Sequence, residues 1–221
     1  MNDITFIAIS NRRNALLRTI QQFENQTNVD WKRINIIIAT GCGGDFSTCL
    51  PHVVVEDREI APQPTWPQII NHCVRMATTE FVSYWADDIF VDNNFLHNVL
   101  KEMEPANDIH VFPYIRHTAK TPFVVFADDF VIVNYGYIRK KSIIDAGMFD
   151  ENYEFYNADG DMCIRIQQQS GTHKIYNNIV VWHRHRGGTP HLFGRITKGH
   201  DNKHFRSKFP NIKIKRILRL K

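Results

Sequence analysis

Apolar and polar residues are distributed along the first half of the chain in two different patterns. Short runs rich in Val, Ile, Phe and Tyr predict strands, because these residue types are favoured there. Between the runs, apolar side chains recur three or four positions apart, which predicts helices. The strand-like runs occupy residues 4–10, 34–40, 52–56 and 80–86, and the helical segments occupy residues 14–25 and 66–78.

The strand-like runs are almost continuously apolar, which is typical of a parallel sheet covered by helices on both faces. We therefore expect an α/β domain with a mixed, mostly parallel sheet flanked by helices. Ligands bind to such sheets beyond the carboxyl ends of the strands. The first positions to search for a site are residues 11–13, 41–45 and 87–88.

The second half of the chain has a more interrupted pattern. Asp128 and Asp129 break a strand-like run, and Gly147 ends a short helical segment. We find no internal repeat and no low-complexity linker, which favours one domain. The predicted elements are a strand over residues 123–132, helices over 139–146 and 159–169, and a last strand over 174–182.

Composition and termini indicate a soluble protein. A chain of 221 residues can bury enough apolar surface to fold without metals or disulfides. Its four cysteines form no CxxC pair, which favours a reducing, cytoplasmic location. The first residues lack the basic start of a signal peptide, and no run approaches the roughly 20 apolar residues of a membrane-spanning helix.

The charge is unevenly distributed. Residues 202–221 hold eight of the 27 Lys and Arg residues and no Asp or Glu, so the rest of the chain is mildly acidic. This distribution argues against a nucleic-acid partner. We expect the basic tail, residues 211–221, to be a solvated segment, and peripheral contact with an anionic membrane is the alternative.

Asp87 and Asp88 follow the fourth apolar run. Two adjacent carboxylates repel each other unless water or a cation compensates. Hard divalent cations prefer such oxygen ligands, so this DXD-like pair is a candidate site for Mn²⁺ or Mg²⁺. An exposed acidic turn that caps the next helix is an equally good interpretation of the pair alone.

Two further polar clusters could carry chemistry. Asp159 and Asp161 begin a predicted helix, where one could act as a general base or both could stabilise the helix N-terminus. His183 follows the last predicted strand, and either it or His185 could bind a metal ion through a neutral imidazole. The neighbouring Arg186 could neutralise phosphates. For His183 alone, an ordinary surface histidine is the alternative.

In combination, four stretches resemble the family 2 glycosyltransferases, which have a GT-A fold. The resemblance covers about residues 4–210, and its most telling part is the spacing from Asn71 through Ala77 and Glu80 to Asp87-Asp88. The other stretches are Asn11-Arg12 with Leu16, Thr19-Ile20 and Gln26-Thr27; Gly147 to Glu151 with Asp159 to Met162 and Arg165; and Gly171 with Lys174 to Tyr176 and Val180 to His183.

The resemblance implies a single GT-A domain over residues 1–210, with a nucleotide-sugar-binding half (1–92), an acceptor-side half (93–210) and a basic tail after it (211–221). It also implies metal-dependent, inverting transfer of a sugar from a nucleotide-diphosphate donor to a glycan or other hydroxyl acceptor, with a UDP-sugar favoured. In this scheme Asp88 and His183 bind Mn²⁺ or Mg²⁺, Asp159 is the catalytic base, and Asn11, Arg12, Asn71, Asp87 and Arg186 bind the donor.

Two departures from the family pattern leave questions open. The aspartate-rich turn that reads the uracil ring is replaced by Ala39 to Cys42, so that Asp45 or Asp57 could substitute. Ala158 stands where the family usually has Glu, which leaves open a non-catalytic module that binds a nucleotide sugar or glycan. A nucleotidyltransferase is a third hypothesis, although the glycine-rich signature usual near the first strand of those enzymes is missing.

Overall fold

A seven-stranded sheet forms the centre of the fold. The computed structural model describes residues 3–43, 46, 48, 50–116, 121–169, 171–183 and 192–218, excluding the side chains of residues 192–197 and 218. In spatial order the strands are His173–Ile175 (β11), Ile109–Val111 (β6), Gly136–Arg139 (β10), Phe81–Trp85 (β4), Ile4–Ile9 (β1), Ile34–Thr40 (β2) and His52–Glu56 (β3).

The direction of the strands confirms the mostly parallel sheet predicted from the sequence. Strands β1, β2, β3 and β4 pair in parallel, and only β10 is antiparallel to its neighbours. Nearly every side chain of β1 and β2 is buried. Burial on both faces explains why these strands are continuous apolar runs rather than alternating ones.

After β4 the chain passes from the first sheet into a second sheet. Its strands are Ile214–Leu218 (β13), Phe123–Ala127 (β8), Tyr114–Arg116 (β7), Val181–His183 (β12) and Ile89–Phe90 (β5), with Phe130–Ile132 (β9) paired to β8. Only residues 86–88 separate β4 of the first sheet from β5 of the second. The acidic pair therefore lies at the junction of the two sheets.

The helices include the two predicted in the first half of the chain. They are Arg13–Glu24 (α1), Asp57–Ile60 (α2), Trp66–Met76 (α3), Phe95–Glu102 (α4), Lys140–Asp145 (α5), Ala158–Gln168 (α6) and Leu192–Lys208 (α7), with a 3-10 helix at Trp31–Arg33. Helix α3 begins with a capping box formed by Thr65 and Gln68, and Pro67 lies in its first turn. Among the described residues, no helix combines the length and apolar character needed to cross a membrane.

The last predicted strand is wrong in one respect. Residues 174–182 do not form one strand, since β11 lies in the first sheet and β12 in the second. Asn177 and Asn178 lie at a bend between them, which suits residues that favour turns. The buried Tyr176 fixes this bend, because its hydroxyl lies 2.9 Å from Nδ1 of His110 and donates to the Glu102 carbonyl at 3.1 Å.

The end of the chain, expected to be a solvated tail, is in part a strand. β13 pairs with β8 along five positions, from Ile214 opposite Ala127 to Leu218 opposite Phe123. The turn between β8 and β9 contributes, because the Asp128 amide donates to the Lys213 carbonyl at 2.8 Å. The described part of this segment therefore belongs to the second sheet, although the side chains of residues 213–217 are exposed.

Candidate active site

Asp87, the first carboxylate of the acidic pair, is bound by residues that follow β1. Arg12 Nε donates to Asp87 Oδ2 at 2.9 Å, and Arg12 Nη2 donates to Oδ1, so that the guanidinium contacts both oxygens. Ser10 Oγ donates a further hydrogen bond to Oδ2. The hydrogen bond to Asp87 raises the pKa of Arg12. Asp87 is thus held in one orientation by protein donors.

Asp88, the second carboxylate, pairs with His183 instead. Its Oδ2 lies 3.1 Å from Nε2 of His183, which the pairing of β12 with β5 places opposite Ile89. Burial by itself would raise the pKa of Asp88, but the hydrogen bond and charge of His183, helped by Arg12, lower it below its ordinary value. Asp88 is therefore a carboxylate at neutral pH.

Asp159 lies in the first turn of α6, where the helix dipole favours negative charge. One carboxylate oxygen accepts a hydrogen bond from the Gly160 amide at 2.9 Å, and the other accepts one from Nδ2 of Asn134 at 3.2 Å. Burial nevertheless raises the pKa of Asp159, since its effect exceeds that of these hydrogen bonds. A raised pKa makes Asp159 a stronger base than an exposed aspartate.

Tyr135 lies near Asp88, His183 and Asp159. Its ring centroid lies 5.9 Å from that of His183. Burial raises the pKa of the Tyr135 hydroxyl most, and the charges of Asp88 and Asp159 raise it further. The Tyr135 hydroxyl is therefore near both carboxylates. The structure thus brings Asp88, His183 and Asp159, which are far apart in the sequence, to one region.

A separate polar group lies where β1, β2 and β3 end. Asn11 Oδ1 accepts a hydrogen bond from the Gly41 amide at 3.0 Å. A Cβ atom added to Gly41 would lie 3.0 Å from Asn11 Oδ1 and 3.0 Å from Asp57 Oδ2, so a side chain there would fill the space between them. Asn11 and Asp57 therefore face each other across Gly41.

Asp57 is incompletely hydrogen-bonded within the described structure. The residue is only 6% exposed, and its buried Oδ1 has no hydrogen-bond partner among the described residues. Burial raises the pKa of Asp57, and the charge of Glu56 adds to this effect. A buried oxygen without a donor at the ligand-binding edge of a sheet is a candidate to accept a hydrogen bond from a ligand.

Asn71 has a different environment from the one predicted for a donor-binding residue. Its amide nitrogen donates to the Phe149 carbonyl at 2.9 Å and to Glu151 Oε1 at 2.8 Å. Its Oδ1 accepts from the Phe149 amide at 2.9 Å. In the structure Asn71 is buried and connects α3 to the segment before α6, so donor contact by this residue stays a prediction.

Several predicted site residues lie outside the described part of the chain. These are Arg186, His185 and Asp45. Their roles in phosphate binding, metal binding and base recognition stay predictions. Sequence reasoning missed two contributors that the structure shows, Ser10 and Asn134, although Ser10 is the last residue of the predicted strand over residues 4–10, at the end of the sheet where ligands bind.

Asp88 and His183 form a donor set that fits a divalent cation. A carboxylate oxygen and an imidazole nitrogen lie side by side, with 26% and 18% of the two side chains exposed. The described residues contain no group of three or more His, Cys, Asp or Glu that could hold a metal ion. Two protein ligands suffice where water and substrate phosphates complete the coordination, as is usual for Mg²⁺.

Comparison with known proteins supports the fold. No family model matches the sequence, and no curated protein matches it. Similar solved structures include S. aureus TarS (TM-score 0.64, 11% identity, covering 90% of this chain and 39% of TarS). TarS 1–349 in complex with UDP-GlcNAc gives a TM-score of 0.67 at 12% identity and covers 84% of this chain and 59% of the other.

A mannosyltransferase, PcManGT from Pyrobaculum calidifontis, also has this fold. Its complex with GDP-Man and Mn²⁺ gives a TM-score of 0.69 at 13% identity and covers 95% of this chain and 65% of the other. The chain therefore spans less than two thirds of each of these proteins. At such identities the likeness concerns the fold, and the chain has the GT-A-like fold of glycosyltransferases.

Proposed function

We propose that the protein is a metal-dependent glycosyltransferase that moves a sugar from a nucleotide-diphosphate donor to a glycan or other hydroxyl acceptor. The observation that carries this proposal is the Asp88–His183 pair. This pair lies near the buried Tyr135, and so does the carboxylate of Asp159. TarS has been solved with UDP-GlcNAc and PcManGT with GDP-Man and Mn²⁺, which supports a nucleotide sugar as the donor. Residues 1–92 would bind this donor and residues 93–210 the acceptor.

Asp88 and His183 would hold Mn²⁺ or Mg²⁺. When bound, such a cation stabilises the negative charge that develops on the departing nucleotide diphosphate. Asp88 suits this role because its pKa is lowered and it is ionised at neutral pH. Asp87 would contact the donor ribose beside the metal site, oriented by its two-point contact with Arg12.

Asp159 would be the catalytic base. Its carboxylate takes the proton of the acceptor hydroxyl while that oxygen forms a bond to the anomeric carbon, and the bond from this carbon to the nucleotide diphosphate breaks. Attack from the face opposite the nucleotide inverts the configuration. The hydrogen bonds from Asn134 and Gly160 orient the carboxylate, and its raised pKa makes proton uptake more favourable.

Asp57 would read the base of the donor. Uracil and guanine both present a ring N–H group, which the unpaired Oδ1 of Asp57 can accept. This role replaces the aspartate-rich turn that is missing after β2. Because uracil matches the family resemblance, a UDP-sugar stays the favoured donor.

Turnover of nucleotide sugars tests the proposal. The full chain would be incubated with a panel of UDP- and GDP-sugars, with Mn²⁺, Mg²⁺ or EDTA, and release of nucleoside diphosphate would be measured. We expect release only with metal, and a loss of about 100-fold or more for Asp159→Asn, since a general base contributes that much. The Asp159→Asn variant should still bind the donor, which a ligand-induced rise in its melting temperature would show.

A matched control is the acidic pair in the turn between β8 and β9. Asp129→Asn should leave turnover unchanged, whereas Asp88→Asn should abolish the metal-dependent release of nucleoside diphosphate. Equal damage by both variants would remove the metal assignment from Asp88. Donor binding without release under any condition would indicate a non-catalytic module. Formation of a nucleoside triphosphate and a sugar 1-phosphate from the nucleotide sugar and added pyrophosphate would indicate a nucleotidyltransferase.

A further inference from the structure

The Nε atom of Arg116 is buried and finds no hydrogen-bond acceptor in the described part of the chain. Arg116 is the last residue of β7, and the parallel pairing of β7 with β12 sets it opposite His183. A buried donor without an acceptor is rare and destabilising, and one explanation is a ligand that supplies the acceptor.

Arg216 on β13 is a second cation that contacts the same aromatic ring as Arg116, that of Phe123. Its Cζ lies 5.7 Å from the ring centroid of Phe123, and the Cζ of Arg116 lies 5.9 Å from the same centroid. No carboxylate of the described residues forms an ion pair with either guanidinium. Two like charges beside one apolar ring repel each other, and an anion between them would relieve this repulsion.

The two arginines share their surroundings with the proposed catalytic base. Burial raises the pKa of the nearby Tyr114, and the charges of Arg116 and Arg216 lower it. The charge of Asp159 raises the pKa of this same hydroxyl. Geometry agrees, because Arg116 Cζ lies 5.8 Å from the Tyr114 ring centroid, which itself lies 6.3 Å from that of His183. Arg116 is therefore beside the proposed metal ligand, and Arg216 is linked to it through Phe123.

We propose that Arg116 and Arg216 bind a phosphate group of the acceptor, next to the hydroxyl that Asp159 deprotonates. The guanidinium fork matches the oxygens of a phosphate, and its planar face tolerates the neighbouring rings. Both cations lie on the second sheet, whereas Arg12 and Asp87 lie at the ends of β1 and β4 in the first. This inference rests on the proposed function and specifies a phosphorylated acceptor.

Binding of glycerol 3-phosphate to the full chain in the presence of UDP and Mn²⁺ tests this inference, with glycerol as the uncharged comparison. Arg116→Gln and Arg216→Gln should each weaken binding of glycerol 3-phosphate about tenfold or more, the effect of losing one charged hydrogen bond. Arg116→Lys should lose less, because it keeps the charge but not the fork.

Lys215→Gln is the matched control. Lys215 is exposed and adjacent to Arg216 on β13, but it pairs with Phe126 rather than Val125, so its side chain points to the opposite face. The Lys215→Gln variant loses one positive charge, as each arginine variant does, and should bind glycerol 3-phosphate as tightly as the unmodified chain. Thermal unfolding of every variant shows whether a loss of binding reflects a loss of folding.

Three results would overturn the inference: no binding of glycerol 3-phosphate by the unmodified chain, equal losses for Lys215→Gln and the arginine variants, or a loss of UDP binding in the arginine variants without a loss of glycerol 3-phosphate binding. The last result would assign the arginines to the donor diphosphate. Because binding is measured without turnover, phosphate binding without nucleotide release would remove the transferase proposal and leave the phosphate site.

Discussion

Asp87 and Asp88 are neighbours in sequence but have separate surroundings. Asp87 accepts from Arg12 and Ser10, whereas Asp88 faces His183. Adjacent carboxylates repel each other, and here each has its own positive or hydrogen-bonding partner. Asp88 pairs with an imidazole and is the proposed metal ligand, whereas Asp87 is the proposed contact to the donor ribose.

Asp57→Asn tests base recognition at the level of one side chain. The amide can present a donor where the carboxylate has two acceptor oxygens, so we expect UDP affinity to fall about tenfold with the loss of one charge-assisted hydrogen bond. Binding of UDP would be measured by calorimetry. Glu56→Gln is the matched control, because this neighbouring acid pairs with Arg58 at 3.5 Å. Unchanged UDP affinity in Asp57→Asn would contradict the assignment.

The sequence singled out individual candidate residues only where they stand in a recognisable pattern. Asp88, His183 and Asp159 stand at strand exits or a helix start in a recognisable order. Asn134 and Arg116 carry no such signal, and Ser10 was not singled out although it ends a predicted strand. Their importance comes from partners that are distant in the chain, such as Asp87 for Ser10.

At the level of elements, the segment before α6 is held by one buried carboxylate. Asp201 on α7 is fully buried, and it accepts from the amides of Glu154 and Phe155, each at 2.9 Å, and of Tyr156 at 2.7 Å. This contact fixes the chain shortly before Asp159. The position of the proposed base therefore depends on a helix that lies later in the sequence.

Asp201→Asn should loosen this segment. The amide group would turn a donor toward backbone N–H groups, so we expect the free energy of unfolding to fall by about 2 kcal/mol. Urea unfolding measures the change. The control is Asp145→Asn, which removes an exposed ion pair with Lys141 and should alter stability by less than about 0.5 kcal/mol. Equal effects would show that Asp201 does not hold the segment.

The length of an element decided whether it could be predicted. β1, β2 and α1 are long enough to show an apolar run or a helical spacing. β6, β7, β11 and β12 have three residues each, which is too short to define a period. The division of residues 174–182 between two sheets was missed for this reason.

At the scale of the whole molecule, a buried histidine couples folding to pH. His110 is fully buried, its ring stacks on that of Tyr137 with centroids 4.0 Å apart, and Nδ1 lies 2.9 Å from the Tyr176 hydroxyl. Burial lowers the pKa of His110 to about 4. The unfolded chain, with a histidine pKa of about 6.5, therefore binds a proton that the folded chain excludes between these values.

Stability should accordingly fall as the pH is lowered from about 6.5 to about 4, by about 3 kcal/mol from this group. Urea unfolding across this range measures the loss. His110→Gln removes the titrating group and should give a shallower dependence, even if the variant is less stable at pH 7. His97→Gln on α4, outside the core, should retain the slope of the unmodified protein. Parallel slopes for all three proteins would contradict this account.

The architecture of the first sheet could be predicted from the sequence, but the presence of a second sheet could not. Alternating strands and helices indicated the mostly parallel sheet, because the pattern of burial appears directly in the sequence. The second sheet was not predicted, since it assembles from short strands between residues 89 and 218. The basic segment at the end was not predicted to pair, because its alternating apolar and basic side chains are exposed in the strand and would be equally exposed in a solvated segment.

The short connection between β4 and β5 has a mechanical consequence. Arg12 and Asp87 follow strands β1 and β4 of the first sheet, and Asp88 is hydrogen-bonded to the second sheet through His183. A ligand that contacts both pairs would connect the two sheets. Binding of such a ligand would reduce the motion of one sheet relative to the other, so a small molecule would rigidify a region much larger than itself.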